Sequence, residues 1–161
     1  MTVTLREATA QDETFLRQVY ASTRAQEMAL VPWTDEQKSA FLKFQFDAQA
    51  SYYRAQFPEA QFQIISTDGE PVGRLYISRE ADQMRILDLT ILPDARGGGI
   101  GSTLMGELLK EATAADKPLT IWVEKDNPSQ NLFSRLGFLV VQEDGYNQLL
   151  EFRALAGNRT T

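Results

Sequence analysis

Arg96, Gly97, Gly98, Gly99, Ile100, Gly101 and Ser102 form the stretch of this chain best equipped for chemistry. An apolar run over 86–92 precedes them and a helix-like segment over 103–115 follows. A strand, a glycine loop and a helix in that order present a row of backbone N–H groups to an anion. Consecutive glycines let the backbone approach a ligand closely and take positive φ where a side chain would clash. The helix adds its unpaired first-turn N–H groups and the positive end of its dipole. The stretch therefore reads as a phosphate or pyrophosphate cradle. A loop that only turns the chain seldom needs four glycines within five positions.

Two phosphate motifs are excluded by spacing. A P-loop places Lys and then Ser or Thr after its last glycine. Here Ser102 and Thr103 follow Gly101, and the next lysine is Lys110. A dinucleotide fingerprint needs a glycine three residues after its second one, where this chain has Leu104 or Ser102, depending on the starting pair. The pattern that fits is Arg-x-x-Gly-x-Gly, as Arg96, Gly99 and Gly101. On these residues the chain resembles the GNAT superfamily of acyl-CoA-dependent N-acyltransferases. A second stretch carries the resemblance further. After a strand-like run over 117–124, residues Asn127, Pro128, Ser129, Gln130, Asn131, Leu132, Phe133, Ser134, Arg135, Leu136, Gly137 and Phe138 are similar to the family's second signature. That signature is an asparagine cap, a short helix, and Gly-Phe entering a strand. The two stretches together cover about 86–140.

The resemblance implies acetyl transfer from acetyl-CoA to a primary amine of a small molecule or a protein, by direct attack in a ternary complex. It implies that Gly97, Gly98, Gly99, Ile100, Gly101 and the Ser102 hydroxyl hold the pyrophosphate of coenzyme A, with Arg96 pairing to a phosphate. The backbone of Ile91 and Leu92 would meet the pantetheine arm and polarise the thioester carbonyl. Asn127 or Asn131 would touch the same arm. Phe133 stands where many relatives have a tyrosine that protonates the departing thiolate, and phenylalanine cannot do this. Phe133 is then expected beside the thioester, with acid help absent or supplied elsewhere. A thiol of pKa not far above about 8 can leave without much help.

The chemistry needs an amine that has lost its proton and a polarised carbonyl. Positioning two substrates together can supply much of the rest, ~7–11 kcal/mol. Without histidine, the base must be a carboxylate, a tyrosine or water. Glu27, near the end of a helix that overhangs the acceptor cleft in this fold, ranks first, and Glu124, at the end of a central strand, ranks second. Asp88 and Tyr146 are weaker candidates, Tyr146 being expected to pack. For the acceptor, Gln45, Gln49 and Tyr53 lie on or near one helical stripe, with Arg24 and Trp33 near the same entrance. Amides and phenols on a stripe can line a polar pocket, although aromatics at helical spacing also serve a core. Arg24 could take an acceptor carboxylate. The runner-up reading is a non-catalytic coenzyme A-binding regulatory or accessory module, and a third is a generic nucleotide-phosphate binder.

Composition sets limits. The 161 residues suit one domain, expected over 1–154 with a frayed tail over 155–161. A net charge of −6 disfavours nucleic acid. The absence of cysteine and histidine removes thiolate nucleophiles, imidazole bases and the commonest metal ligands, so no metal is expected. No run has the length of a membrane span and no signal-peptide pattern is seen, so a cytoplasmic protein is expected. Small-molecule and protein amines both stay open as partners, as does a homodimer.

The elements that must position these residues follow from periodicity. Residues 3–6 alternate as a short strand. A helix is expected over 12–28, and a second from a capping box at Thr34, Asp35, Glu36 and Gln37 to Phe57. Strands are expected over 61–66, 72–78 and 84–92, with a turn at Asp68 and Gly69. A helix over 103–115, a strand over 118–124, and a short helix capped by Asn127 with Pro128 at its first position come next. Strands over 139–142 and 146–152 close the chain. The order β-αα-β-β-β-α-β-α-β-β resembles the GNAT fold, an α/β mixed sheet whose two central parallel strands splay apart.

Overall fold

The computed structural model describes residues 1–154, and the expected frayed tail over 155–161 lies outside them. The elements are β1 (Val3–Glu7), α1 (Glu13–Thr23), α2 (Ala25–Leu30), α3 (Asp35–Gln56), β2 (Gln61–Thr67), β3 (Glu70–Arg79) and β4 (Met84–Ile91). Then come α4 (Ile100–Ala115), β5 (Leu119–Glu124), α5 (Gln130–Arg135), β6 (Leu139–Asp144) and β7 (Asn147–Phe152). The strands make one seven-stranded mixed sheet in the order β1-β2-β3-β4-β5-β7-β6. This is the α/β mixed sheet that the sequence predicts. Among the described residues no helix is long and apolar enough to cross a membrane.

Three boundaries differ from expectation, each for a local reason. The helix expected over 12–28 is broken at Arg24. The Ser22 and Thr23 hydroxyls donate to the carbonyls of Val19 and Tyr20, both at 2.6 Å. The Arg24 N–H turns to Ala21 instead of Tyr20, so hydroxyls compete with the helical ladder and bend it. At the other end of the chain, α4 begins at Ile100 rather than 103, because Gly99 takes the left-handed conformation (φ 85°) as its N-cap. Finally, α5 begins at Gln130 rather than at Pro128. Asn127 does accept from the Ser129 N–H at 2.7 Å, as a cap would, but the turn that follows closes by an i→i+3 bond, Gln130 N–H to the Asn127 carbonyl. The capping box at Thr34 and Gln37 forms as expected, and Asp68 and Gly69 both take positive φ in the β2–β3 turn.

The chain divides into two compact units, with β3 and β4 contributing residues to both. The first holds 1–75 and 89–98. Here β1 pairs antiparallel with β2, Val3 opposite Thr67 through Glu7 opposite Gln63. Leu16, Val19, Tyr20, Phe46, Ile64, Ile65 and Leu75 are buried. Each such apolar burial contributes roughly 1.5–3 kcal/mol. Tyr20 meets Phe46 edge-on at 6.1 Å.

The second unit holds 76–88 and the residues from Gly99 onward. Its parallel ladder joins Met84, Arg85 and Ile86 to Leu119, Thr120 and Ile121, and both strands run on past it. Over its whole length β5 pairs antiparallel with β7. The stripe Ile100, Leu104, Met105, Leu108 and Ala112 of α4 is buried. A salt bridge in fork geometry from Arg85 to Glu80, a bond from Lys117 to the Glu80 carbonyl, and one from Thr120 to Gln83 fix the start of β4. Glu80 is held below the ordinary glutamate range, chiefly by that guanidinium.

Candidate active site

The glycine loop has the conformation its composition asks for. Gly97 and Gly99 have φ 84° and 85°, where any other residue would be strained. Gly98 does not need that freedom, yet a Cβ on Gly97, Gly98 or Gly99 would meet no protein atom within 4 Å. The open side of the loop is therefore free to receive an anion. Thr103 makes the first helical bond, to the Gly99 carbonyl. The N–H groups of Ile100, Gly101 and Ser102 precede it and have no acceptor within the helix. They sit at the positive end of a helix of 16 residues. The loop thus fits a pyrophosphate by its backbone alone. Gly101 is half-buried, and a Cβ there would touch Leu132 at an ordinary 3.8 Å, so packing does not require glycine at this position.

The end of β4 supplies the next pieces. Leu92 donates its N–H to the Val72 carbonyl at 2.8 Å and accepts from the Ala95 N–H at 2.9 Å. The Leu92 N–H is thus engaged with β3, and its carbonyl already accepts one bond from the turn that follows. Backbone groups of adjacent strand residues point to opposite edges. Ile91 accordingly turns its N–H and carbonyl to the edge away from β3. The Ile91 carbonyl accepts from Arg96 Nε at 2.9 Å. Gly73, on β3, makes the close approach possible. A Cβ there would fall 2.2 Å from the Thr90 carbonyl oxygen. Gly73 is not among the expected site residues, and its only sequence signal is a glycine inside an apolar strand.

In the first unit Tyr20 bonds two of the predicted acceptor residues. Its hydroxyl donates to Gln45 at 3.2 Å and accepts from Arg24 Nε at 3.4 Å. Arg24 also pairs with Glu27 at 3.0 Å. Its guanidinium is held above its ordinary value, first by the Tyr20 hydroxyl and then by Glu27, against the cost of burial. Gln49 accepts from Arg74 at 3.0 Å. Arg24 and Arg74 each lie 5.8 Å from the Tyr20 ring centroid, within cation–π range. Arg74, 1% exposed, was not foreseen, although a charged residue inside the apolar run of β3 was a readable signal. Trp33 and Tyr53 lie in other clusters. Trp33 stands edge-on to Phe41 at 5.2 Å, and Tyr53 groups with Tyr52 and Phe57.

The second unit carries the remaining candidates. The Phe133 ring is buried edge-on against Phe138 at 5.3 Å, and Phe138 leads on to Phe152. Asn127 is half-buried, and Asn131 is exposed. Glu124 is exposed at the end of β5, where its carbonyl accepts from Gln130 Nε2 at 3.0 Å. Tyr146 is 56% exposed, which corrects the expectation that it packs. Its phenol is pushed above the ordinary tyrosine range, first by its hydrogen bond to Asp126 and further by the charges of Asp126 and Glu124. It therefore stays protonated and hydrogen-bonded to Asp126. A separate cavity of about 300 Å³ between α1 and α3, lined by Thr14, Arg17, Gln18 and Lys43 among others, contains none of the predicted site residues. Among the described residues no group of three His, Cys, Asp or Glu side chains is placed to hold a metal.

Comparison with known proteins bears on this arrangement. Residues 16–138 match the family described as the acetyltransferase (GNAT) family. A mycothiol acetyltransferase from Stackebrandtia nassauensis is 32% identical over 78 residues, which is 48% of this chain and 26% of that relative. The match therefore spans only about a quarter of the relative's length. A PaiA N-acetyltransferase from Thermoplasma acidophilum, solved in complex with coenzyme A, superposes with a TM-score of 0.71 at 19% identity, over 96% of this chain and 100% of that one. An acetyltransferase from Thermus thermophilus gives 0.68 at 21% identity, over 96% and 98%. These structural likenesses establish the fold.

Proposed function

Because the chain belongs to the acetyltransferase (GNAT) family, we propose that it moves an acetyl group from acetyl-CoA to a primary amine, by direct attack in a ternary complex. The observation that carries this reading is the pair of left-handed glycines, Gly97 and Gly99, leading into the free N–H groups of α4. Family membership favours it over a module that binds coenzyme A without turnover and over a generic nucleotide-phosphate binder.

In this reading Gly97, Gly98, Gly99, Ile100, Gly101 and Ser102 hold the pyrophosphate. Acetyl-CoA, when bound, supplies the thioester and a thiolate leaving group. The Ile91 N–H, on the edge of β4 away from β3, is the donor for the carbonyl oxygen that gains charge. Asn127 and Asn131 are contacts for the arm. Glu124 takes the proton of the attacking amine. Glu27 is the second choice, because its carboxylate is already paired with the Arg24 guanidinium. Phe133 gives the thiolate no acid, and its buried ring shapes the wall beside α5.

For the acceptor we assign Arg24, Gln45 and Gln49 around Tyr20, with Trp33 and Tyr53 at the periphery. A guanidinium and two amides suit an amine that also bears a carboxylate. The test is release of coenzyme A thiol from acetyl-CoA with a panel of primary amines, half carrying a carboxylate. Turnover restricted to the carboxylate-bearing half supports the assignment. Turnover with none of the panel, despite binding of acetyl-CoA, returns the non-catalytic module. Arg24→Ala should raise the acceptor KM about 10–100-fold, the loss of a charge-assisted hydrogen bond, and leave acetyl-CoA affinity unchanged.

A further inference from the structure

Arg96 makes a hydrogen bond outside the glycine loop. Its Nε donates at 2.9 Å to the carbonyl of Ile91, five residues back at the end of β4. That carbonyl lies on the edge opposite the Leu92 N–H, which is bonded to Val72. It is a backbone acceptor at the strand's end, next to a Leu92 carbonyl that already accepts one bond. The guanidinium has four more N–H donors, its side chain is exposed, and Gly97 follows it directly in the chain.

We propose that Arg96 is a placeholder: it satisfies the Ile91 carbonyl in the coenzyme-free chain, then gives that carbonyl up to an amide of the pantetheine arm and swings to the pyrophosphate. This rests on the assignment of acetyl-CoA above and adds an order to it. The guanidinium and an amide of the arm compete for this one carbonyl, and the bond lies at the exposed surface, so its net value is modest. Pantetheine binding alone must displace Arg96 with no phosphate to receive it. Full coenzyme binding displaces Arg96 and rewards it with a charged partner. One side chain then discriminates between the arm alone and the arm carrying phosphate.

The consequence is a pair of opposite signs. In Arg96→Ala the competitor is gone, so S-acetylpantetheine should bind about three- to tenfold tighter than in the unchanged chain, the net value of one hydrogen bond. Acetyl-CoA should bind about tenfold weaker or worse, since the phosphate partner is gone. Calorimetric or NMR titration of both ligands against both proteins reads this. A merely structural role for Arg96 would weaken both ligands together, and that result, or unchanged binding of S-acetylpantetheine, overturns the proposal. A second measurement needs no variant. The Arg96 Nε–H resonance should be protected from exchange in the free chain and should shift and lose protection on adding acetyl-CoA. A signal unmoved at saturation also overturns it. If acetyl-CoA binds neither protein, it is the coenzyme assignment that fails, and the two failures are told apart.

Discussion

Glu27 and Glu124 are chemically alike and differ in what surrounds them. Glu27 faces a guanidinium 3.0 Å away, whereas Glu124 sits at an exposed strand end beside a phenol that is itself bonded to Asp126. A general base must hold its lone pair available at the operating pH. Glu124→Gln should therefore lower kcat/KM by about a hundredfold, while Glu27→Gln should cost less than about threefold in kcat. Steady-state kinetics of both variants across pH 6–9 checks this, and the reverse ranking would return the role to Glu27. The sequence alone placed Glu27 first, because it gives the helix but not the side chain's neighbour. Likewise, the position of Leu92 at the strand end was readable, but not that its N–H bonds Val72 and its carbonyl accepts from Ala95. The conformation of the glycine loop was legible because positive φ at Gly97 and Gly99 depends on lacking a side chain, which sequence states directly.

At the scale of elements, strand and helix order followed from periodicity, and the misplaced boundaries are those set by single hydrogen bonds. Two hydroxyls break the first helix at Arg24, and one left-handed glycine starts α4 three residues early. The proposed function rests on the glycine loop, whose three consecutive members separate strain from room. Gly97→Ala and Gly99→Ala place a side chain at φ 84° and 85°, at a cost of about 1–2 kcal/mol each. Gly98→Ala meets neither strain nor a neighbour, so its melting temperature should stay level or rise slightly. Yet its methyl enters the open side of the loop, and acetyl-CoA affinity should fall about tenfold, or ~1.4 kcal/mol. Denaturation and titration of the three variants test this, and a Gly98→Ala protein that binds normally would show that this side of the loop is not the cradle. The start of β4 makes a further prediction. Glu80 has its folded pKa lowered by Arg85, so its contribution is complete above about pH 4.3 and is lost as pH falls through the lower folded value. Glu80→Gln should flatten stability against pH between about pH 5 and pH 3, by less than ~1 kcal/mol because the pair is partly exposed to water. A slope unchanged by the substitution would assign the acid sensitivity to other carboxylates.

At the scale of the whole molecule, the chain carries a net charge of −6 and is asked to bind a polyanion. General attraction cannot do this, since the average field repels the ligand. Binding must come from a local arrangement strong enough to prevail, and in the proposed reading the oriented N–H groups of the loop and of α4 supply it. Such a site is specific in a way that a basic patch is not. It should distinguish ligands by the fit of the whole molecule rather than by phosphate charge. Acetyl-CoA at about a hundred times its Kd should add ~2.7 kcal/mol of stability, which for a chain of this length is a rise of roughly 5–10 °C in melting temperature. ATP at the same concentration carries comparable phosphate charge without a pantetheine arm, and should raise it by less than about 1 °C, the noise of such a measurement. Equal shifts with both ligands would mean that the loop reads phosphate alone, and the generic phosphate binder would replace the acetyltransferase. A shift with neither would mean that the left-handed glycines serve only to start α4. A shift with acetyl-CoA that survives moderate salt would place the recognition in short-range hydrogen bonds, because those are screened far less than a surface field.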